Sequence, residues 1–220
     1  MRTSSLSTAD EVVGVRIPRT PVAQAAAARA RAAMPIVLFG HACRVFIFAM
    51  LNAQRTGEIC DTDLLYVSAM YANFGLTEAY AHSTVRYEVD SADAARSHLD
   101  RYGIGEREQN EAWLAIALHM TPGIASRISP LANVLAAATQ TDLTAAHLDT
   151  YSNEQRTGVL AAYPRDNQFK YDFIAAMGNG LAHRPATTFG TVGADVLDRV
   201  DPNYCRINFC GQILGSPWEE

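Results

Sequence analysis

The sequence lacks several features that define whole classes of protein. Lys170 is the only lysine, and Asp and Glu outnumber Lys and Arg by 23 to 18, which gives a formal net charge of −5. This acidic balance argues against nucleic acid or an anionic membrane as a partner. The four cysteines include no CxxC pair. They predict buried thiols in a reducing compartment, with pairing or metal binding by Cys205 and Cys210 as the alternative.

Long apolar runs and a secretory leader are also missing. No apolar run reaches about 18 residues without a charge, so no membrane-spanning helix is predicted. Residues 1–20 are polar and give no secretory signal, and we interpret them as a loose or extended N-terminal arm. The chain is 49% hydrophobic and 19% charged, which is enough for a sizeable core in one domain over residues 21–220. We expect a cytoplasmic protein.

Strand patterns are nearly absent. Only residues 12–15 (Val-Val-Gly-Val) suggest a short strand, whereas helix signals recur along the chain. We therefore predict an all-α fold with a loop-rich C-terminal segment from Pro185 onward, interrupted by helical turns near 194–199 and 204–214. The predicted helices cover 22–33, 35 to about 53, a segment from a cap at 61 or 62 to 75, 92–102 after a Ser91 cap, 106–119, 130 to about 138, 141–147, a segment after a capping box at 152–155, and one after residue 166.

Polar residues recur inside the most apolar helices. The helix that follows Pro35 is apolar nearly all round, which predicts a central position, and His41 and Arg44 are its polar exceptions. The stretch 65–77 and the helix that ends at His119 repeat this arrangement. A buried polar group must find a partner or serve a purpose. We therefore predict that these helices surround one small pocket, with Arg44 as a half-buried ion-pair partner.

The order of these pieces resembles the HD superfamily, whose members hold one or two divalent metals with a His, a His-Asp dipeptide and a later Asp. Here the order is His41, Ala72-Asn73, His119 and Asp142. Within the superfamily the chain most resembles the cyanamide hydratase branch, from about residue 35 to residue 220. The resemblance implies an HD-domain-like helical bundle. The matching pieces are 74–77 (FGLT), 86–95 (RYEVDSADAA), 113–119 (WLAIALH), 121–125 (TPGIA) and 216–218 (SPW).

The resemblance also implies a metal site with two positions that are not competent. His41 matches the first metal histidine, and Asp142 lies near the position of the last metal aspartate. Ala72 and Asn73 occupy the positions of the His-Asp dipeptide. Alanine donates nothing to a metal, and asparagine offers a neutral oxygen in place of a carboxylate. The family's Zn or Fe is thus expected to bind weakly or not at all. The chain is either a natural metal-free descendant or a deliberately disabled form of an active protein.

Four residues are candidates for catalysis in the reaction that the resemblance implies. A histidine or carboxylate near the substrate would move protons, and we assign such roles to His119, Glu88 and Asp90, with Thr77 as a substrate contact. Each has a structural alternative. His119 also suits the negative end of a helix dipole, and Asp142 suits a helix N-terminus. Glu88, Asp90 and Thr77 can serve as caps. The remaining histidines are expected at the surface: His82, His98, His147 and His183.

Three functions compete. The first is a hydratase or hydrolase that adds water to a small C≡N-type substrate, a nitrile or cyanamide-like molecule, with its metal site impaired. The second is an HD-type phosphohydrolase. It ranks lower because the segments that carry the candidate site residues offer only Arg44 and Arg86 as cations for a phosphate. The third is a metal-free biosynthetic enzyme or binding scaffold. The expected partner is a small-molecule substrate, and a homo-oligomer is left open. If these helices surround one pocket, we expect the His41 and Asn73 side chains to be hydrogen-bonded directly or bridged by one water molecule.

Overall fold

The computed structural model describes residues 10–217, and this part of the chain is predominantly helical. It contains ten α-helices, several short 3-10 helices and one two-stranded hairpin. The predicted all-α fold class is therefore confirmed. Residues 1–9 of the predicted arm, and Trp218 of the C-terminal motif, lie outside the described residues.

The bounds of the strands and helices follow the chain from the hairpin to the C-terminal turns. They are β1 Glu11–Val12, β2 Val15–Arg16, α1 Pro21–Ala33, α2 Ile36–Thr56, α3 Thr62–Tyr71, α4 Tyr87–Arg101, α5 Glu106–Leu118, α6 Pro130–Thr144, α7 Asn153–Ala162, α8 Phe169–Leu181, α9 Val192–Val200 and α10 Phe209–Leu214, with 3-10 helices at Phe74–Leu76, Glu78–Tyr80, Ala125–Arg127, Leu148–Thr150 and Pro185–Thr188.

Helix α2 lies at the centre, as its composition predicts. Leu38, Phe46 and Ile47 are fully buried, and the helix packs against α3, α6 and α8. By length and composition alone α2 would be able to cross a membrane, but 83% of its most apolar window is buried inside the protein. A core helix of a globular domain passes the same test. His41 and Arg44 of α2 are therefore held deep in the domain.

The region of the predicted short strand is a hairpin. Val12 pairs with Val15, and the chain turns between them at Val13 and Gly14, which have φ angles of 46° and 82°. The pattern Val-Val-Gly-Val therefore spans a turn, because the glycine tolerates a left-handed backbone that ends a strand. Val12, Val15 and Ile17 are buried in the core. The described part of the predicted arm is thus packed structure instead of a loose segment.

Two predicted helix boundaries are wrong, and both affect the site. Helix α4 begins at Tyr87, so Ser91 lies inside it, where its Oγ accepts a hydrogen bond of 2.7 Å from the Gly75 amide. Helix α6 is continuous to Thr144, so Asp142 lies in its last turn instead of opening a new segment. The polar run before Asp142 does not break α6 because the Thr141 hydroxyl donates to the Ala137 carbonyl within the helix.

The expectation of buried thiols holds for only part of the set. All four cysteines are free; Cys43 is buried, Cys60 is half-buried, and Cys205 and Cys210 are exposed. Burial raises the pKa of the Cys43 thiol to about 12, so it remains protonated. Cys210 lies in α10 and Cys205 lies shortly before it. Both are exposed, and they do not form a disulfide with each other.

Gly75 fixes how α4 sits against the turn that follows α3. A Cβ atom at this position would lie 2.1 Å from the Tyr87 carbonyl oxygen and 2.9 Å from the Asp90 Cβ. Neither atom is the end of a flexible side chain, so the backbone itself would have to move. The glycine in the FGLT motif is therefore required by close approach of two backbone segments.

We predict that Gly75→Ala lowers the free energy of unfolding by about 3 kcal/mol, because a well-packed backbone contact must open. Gly211→Ala is the matched control, since its nearest atom would be 3.9 Å away, and we expect a change within about 1 kcal/mol. Urea unfolding followed by circular dichroism measures both. Equal stabilities of the two variants would contradict the close approach at Gly75.

Candidate functional site

The centre of the site is a buried ion cluster around Asp142. Arg44 Nε donates to Asp142 Oδ1 at 2.7 Å, and Arg44 Nη2 donates to Oδ2 at 3.0 Å. His41 Nδ1 lies 2.7 Å from the same Oδ2 and donates to it, because an ionised carboxylate can only accept. All three residues are about 1% exposed. Both carboxylate oxygens of Asp142 are therefore occupied by side chains of α2.

The positions of these three residues follow from their helices. His41 and Arg44 are separated by one turn of α2 and share a face, and Asp142 faces them from the last turn of α6. A carboxylate at a helix C-terminus meets the negative end of the helix dipole. The Arg44 guanidinium offsets this and also donates to the carbonyls of Tyr163 and Pro164 at 3.3 Å. Arg44, expected to be half-buried, is instead completely enclosed and hydrogen-bonded.

The charge state of the cluster follows from its surroundings. Burial alone would raise the pKa of Asp142, but the hydrogen bond from His41 and the charge of Arg44 hold it well below its usual range. Burial lowers the pKa of His41, and the hydrogen bond to Asp142 offsets only part of that effect. The cluster therefore contains one cation, one anion and a neutral histidine at pH 7.

His119 is the second buried histidine, at the C-terminal end of α5. Its Nδ1 donates to the Ile116 carbonyl at 2.7 Å, which places the lone pair of the neutral ring on Nε2. That Nε2 is buried and has no hydrogen-bond partner within residues 10–217. Burial lowers the pKa of His119 to about 4, while the charge of Glu88 raises it and that of His41 lowers it. This shift is opposite to that of a dipole-stabilised imidazolium.

A cavity of about 310 Å³ is lined by His119. Its polar lining comes from hydroxyl, amide and imidazole groups: Thr121, Ser126, Asn133, Gln140 and His147. Among the described residues that line it, none is an arginine, lysine, aspartate or glutamate. A cavity of this kind suits a small, uncharged, polar molecule better than an ion.

The other three catalytic candidates have partners within the fold. Glu88 is buried and accepts from Arg86 Nη2 at 3.0 Å. Asp90 forms a buried ion pair with Arg184. The Thr77 hydroxyl donates to the Phe74 carbonyl at 2.8 Å. Of the four candidates only His119 retains a buried polar atom without a partner in the described part of the chain.

Arg184 is a site residue that sequence reasoning missed. Besides Asp90, its guanidinium donates to the carbonyls of Gly75, Val85 and Gly180. It thereby ties the FGLT turn, the start of α4 and the end of α8 together. Nothing in the local pattern around residue 184 signals this, because all but one of its acceptors come from distant segments of the chain.

His98 corrects the expectation that it lies at the surface. It is 3% exposed and its Nε2 is 2.9 Å from the carbonyl oxygen of Val22, near the start of α1. Burial lowers its pKa, as for the other enclosed histidines. The partner is more than seventy positions away in sequence, so the spacing of residues along α4 gave no sign of it. His82, His147 and His183 are exposed as expected.

The positions matched to metal ligands do not form a metal centre. Ala72 and Asn73 are both buried, at the end of α3 and in the following turn. His41 makes its hydrogen bond with Asp142 and not with Asn73, and Arg44 covers both oxygens of Asp142. Within residues 10–217, no group of three His, Cys, Asp or Glu side chains is placed to hold an ion. The residues present therefore do not fit the zinc or iron centre that the HD resemblance implies.

Neither a scan of protein-family models nor a search of curated proteins gives a match to this chain. The HD resemblance therefore depends on the motifs and their order alone.

We predict that Arg44→Met lowers the free energy of unfolding by about 3–5 kcal/mol, because the buried Asp142 carboxylate loses both of its guanidinium hydrogen bonds. Arg44→Met combined with Asp142→Leu should recover part of this loss, since no charge is then stranded. Arg206→Met, which removes the exposed pair with Asp195, is the control and should cost less than about 1 kcal/mol. Chemical denaturation of the four proteins tests the cluster, and a small loss in Arg44→Met would contradict it.

We predict that His119 makes stability depend on pH between about 4 and 6.5. In that window the unfolded chain binds a proton that the folded chain excludes, so stability falls as pH falls, by up to about 3 kcal/mol. Asp142 makes stability depend on pH only below this window. Its pKa is lowered in the folded state, so the stabilisation that it provides is lost only at the lower pH where the carboxylate becomes protonated.

The measurement is urea unfolding of the wild type and His119→Gln from pH 7.5 to 4.5. The variant should show a smaller decline, with the remaining slope in this range due in part to His41 and His98. His82→Gln, at an exposed position, is the matched control and should keep the wild-type slope. An unchanged slope in His119→Gln would mean that its ring titrates normally in the folded state.

Proposed function

We propose that this chain is an HD-superfamily protein of the cyanamide hydratase-like branch that acts on a small C≡N-type substrate without a metal step. The observation that carries the proposal is the Nε2 atom of His119, which is buried, neutral and unpaired among the described residues, on a residue that also lines an uncharged polar cavity. The motif order and the all-α fold support the family assignment. The ion cluster at Asp142 supports the absence of a metal step.

The chemistry assigns one role to each polar group. His119 Nε2 accepts a proton from a water molecule as the water oxygen bonds to the carbon of the C≡N group. The substrate nitrogen then takes the proton, which gives an imidic acid that rearranges to the amide or urea. Gln140 lines the same cavity and offers an amide donor to that nitrogen, whereas the Asn133 amide already donates to Glu58 Oε1 at 2.7 Å. Because a histidine with a pKa near 4 is a weak base at pH 7, we expect slow turnover.

Phosphohydrolysis ranks lower for an electrostatic reason. A transferred phosphoryl group carries charge that cations must stabilise. The described lining of the His119 cavity contains no such cation, and Arg44 is already bonded to Asp142. A metal-free biosynthetic enzyme or binding scaffold is the second candidate. It is favoured by the Arg44–Asp142 ion pair, which occupies the carboxylate that would otherwise bind a metal.

We predict that the wild-type chain purifies with far less than one equivalent of Zn or Fe, and that Ala72→His with Asn73→Asp increases metal uptake. The introduced pair would supply the missing ligands, while His41 and Asp142 would have to exchange partners to complete the set. Either single substitution should recover much less than the pair, because the ligands act together. Elemental analysis of the four proteins measures this. If the double variant takes up no metal, residues 72 and 73 do not correspond to the metal-binding positions of the family.

We predict that the wild type hydrates a member of a panel of nitriles and cyanamide, and that His119→Gln lowers kcat by at least about 100-fold, the usual contribution of a positioned base. His183→Gln, at an exposed position, is the control. Amides and phosphate esters complete the panel. Turnover that survives in His119→Gln would reject the base, and phosphate-ester turnover would favour the phosphohydrolase.

A further inference from the structure

A second cavity, of about 330 Å³, lies near Asp142 and separates the end of α6 from α7. Its charged lining residues are Arg156, Arg165 and Asp142. Its apolar lining includes Phe48, Leu148 and Leu160. This cavity shares no lining residue with the one at His119, so the two can be tested separately.

Arg156 enters this cavity with an unsatisfied donor. Its Nε is buried and has no hydrogen-bond partner in the part of the chain that the structure describes. The residue as a whole is half-buried, so the rest of the guanidinium is not sealed off. A buried donor on a permanently charged group is costly to leave unpaired. An external acceptor with a negative charge would remove that cost.

Arg165 adds a second cation, which is 3.9 Å from Asp142 Oδ1 and makes its hydrogen bond to a backbone carbonyl. Its guanidinium stacks 4.1 Å from the Phe169 ring centroid and donates to the backbone carbonyl of Asp142. The nearest carboxylate oxygen, Asp142 Oδ1, is 3.9 Å away and already accepts from Arg44. Burial lowers the pKa of Arg165, the charge of Asp142 offsets part of that effect, and the charge of Arg44 adds to it.

The charges around the cavity do not balance. Its lining carries two guanidiniums, from Arg156 and Arg165, and one carboxylate, from Asp142, and both oxygens of that carboxylate are already bonded to Arg44. Desolvated cations in a concave site attract an anion more strongly than cations in water do. Arginine in particular can bond both oxygens of a carboxylate.

We propose that this cavity is a binding site for a small organic carboxylate with an apolar body. The carboxylate group bonds to the guanidiniums of Arg156 and Arg165, and the body packs against Phe48, Leu148 and Leu160. Inorganic phosphate shares the charged group but lacks the body, so it binds less tightly. The site is independent of the proposed hydration at His119.

The test is calorimetric titration of the full chain with benzoate, acetate and inorganic phosphate at constant ionic strength. Saturable binding of one benzoate is expected, tighter than that of acetate or phosphate. Arg156→Gln should weaken benzoate binding by about tenfold or more, since a charged hydrogen bond is lost. The benzoate affinity of Arg156→Lys should lie between those of the wild type and Arg156→Gln, because lysine keeps the positive charge but loses the planar guanidinium. Arg127→Gln, at an exposed arginine, is the matched control and should bind as the wild type does.

Two further measurements keep the outcome decisive. His119→Gln should bind benzoate normally, which separates this site from the proposed activity. If Arg156→Gln does not fold, NMR of the wild type replaces it, with the Arg156 Nε–Hε signal expected to shift on addition of benzoate. No saturable binding, equal binding in Arg156→Gln, tighter binding of phosphate, or an unmoved Arg156 signal would each overturn the proposal.

Discussion

The bidentate pair between Arg44 and Asp142 is the interaction on which the middle of this protein depends. It joins the central helix α2 to the last turn of α6 at a point where both side chains are about 1% exposed. Burial of two charges is costly unless their geometry is good and their remaining hydrogen bonds are made. Here Arg44 also bonds two backbone carbonyls and Asp142 also bonds His41, so the requirement is met. The relative placement of the two helices follows from it.

The same pair decides what the site can hold. A divalent metal competes for a carboxylate by charge, and in this chain a guanidinium already supplies the positive charge to both oxygens of Asp142. The two other positions that the HD resemblance assigns to ligands, Ala72 and Asn73, bring no second anion to the core. The result is a set of helices arranged around a cation–carboxylate pair. Of the four catalytic candidates, His119 on α5 is the one that keeps a buried acceptor without a partner in the described part of the chain.

A second buried pair holds Asp90 of α4. Asp90 is held by Arg184, which also bonds the carbonyl of Gly75. Since Gly75 lies in direct contact with the backbone of Tyr87, the FGLT turn and the start of α4 form one rigid unit. The acidic residue that resembles a catalytic group in the sequence therefore serves to fix backbone. Buried carboxylates in helices are commonly satisfied in this way.

Much of the fold was predictable because it depends on local patterns. The helical periodicity and the capping box at Ser152 are each encoded within a few residues. The central place of α2 follows from its all-round apolar surface. The presence of buried polar groups at His41 and His119 follows from their apolar neighbours.

Tertiary structure alone decided which partners those polar groups have. His98 bonds Val22, and Arg184 bonds Asp90, across separations of many tens of residues. The start of α4 was misplaced because Ser91, a good cap by type, is used to bond Gly75 across the core instead. The sequence by itself determined most of the helices and the burial of His41 and His119, since both follow from local periodicity, whereas the burial of His98 and Arg184 depends on distant segments. Whether a buried histidine or carboxylate has a hydrogen-bond partner depends on which distant segments of the chain pack against it.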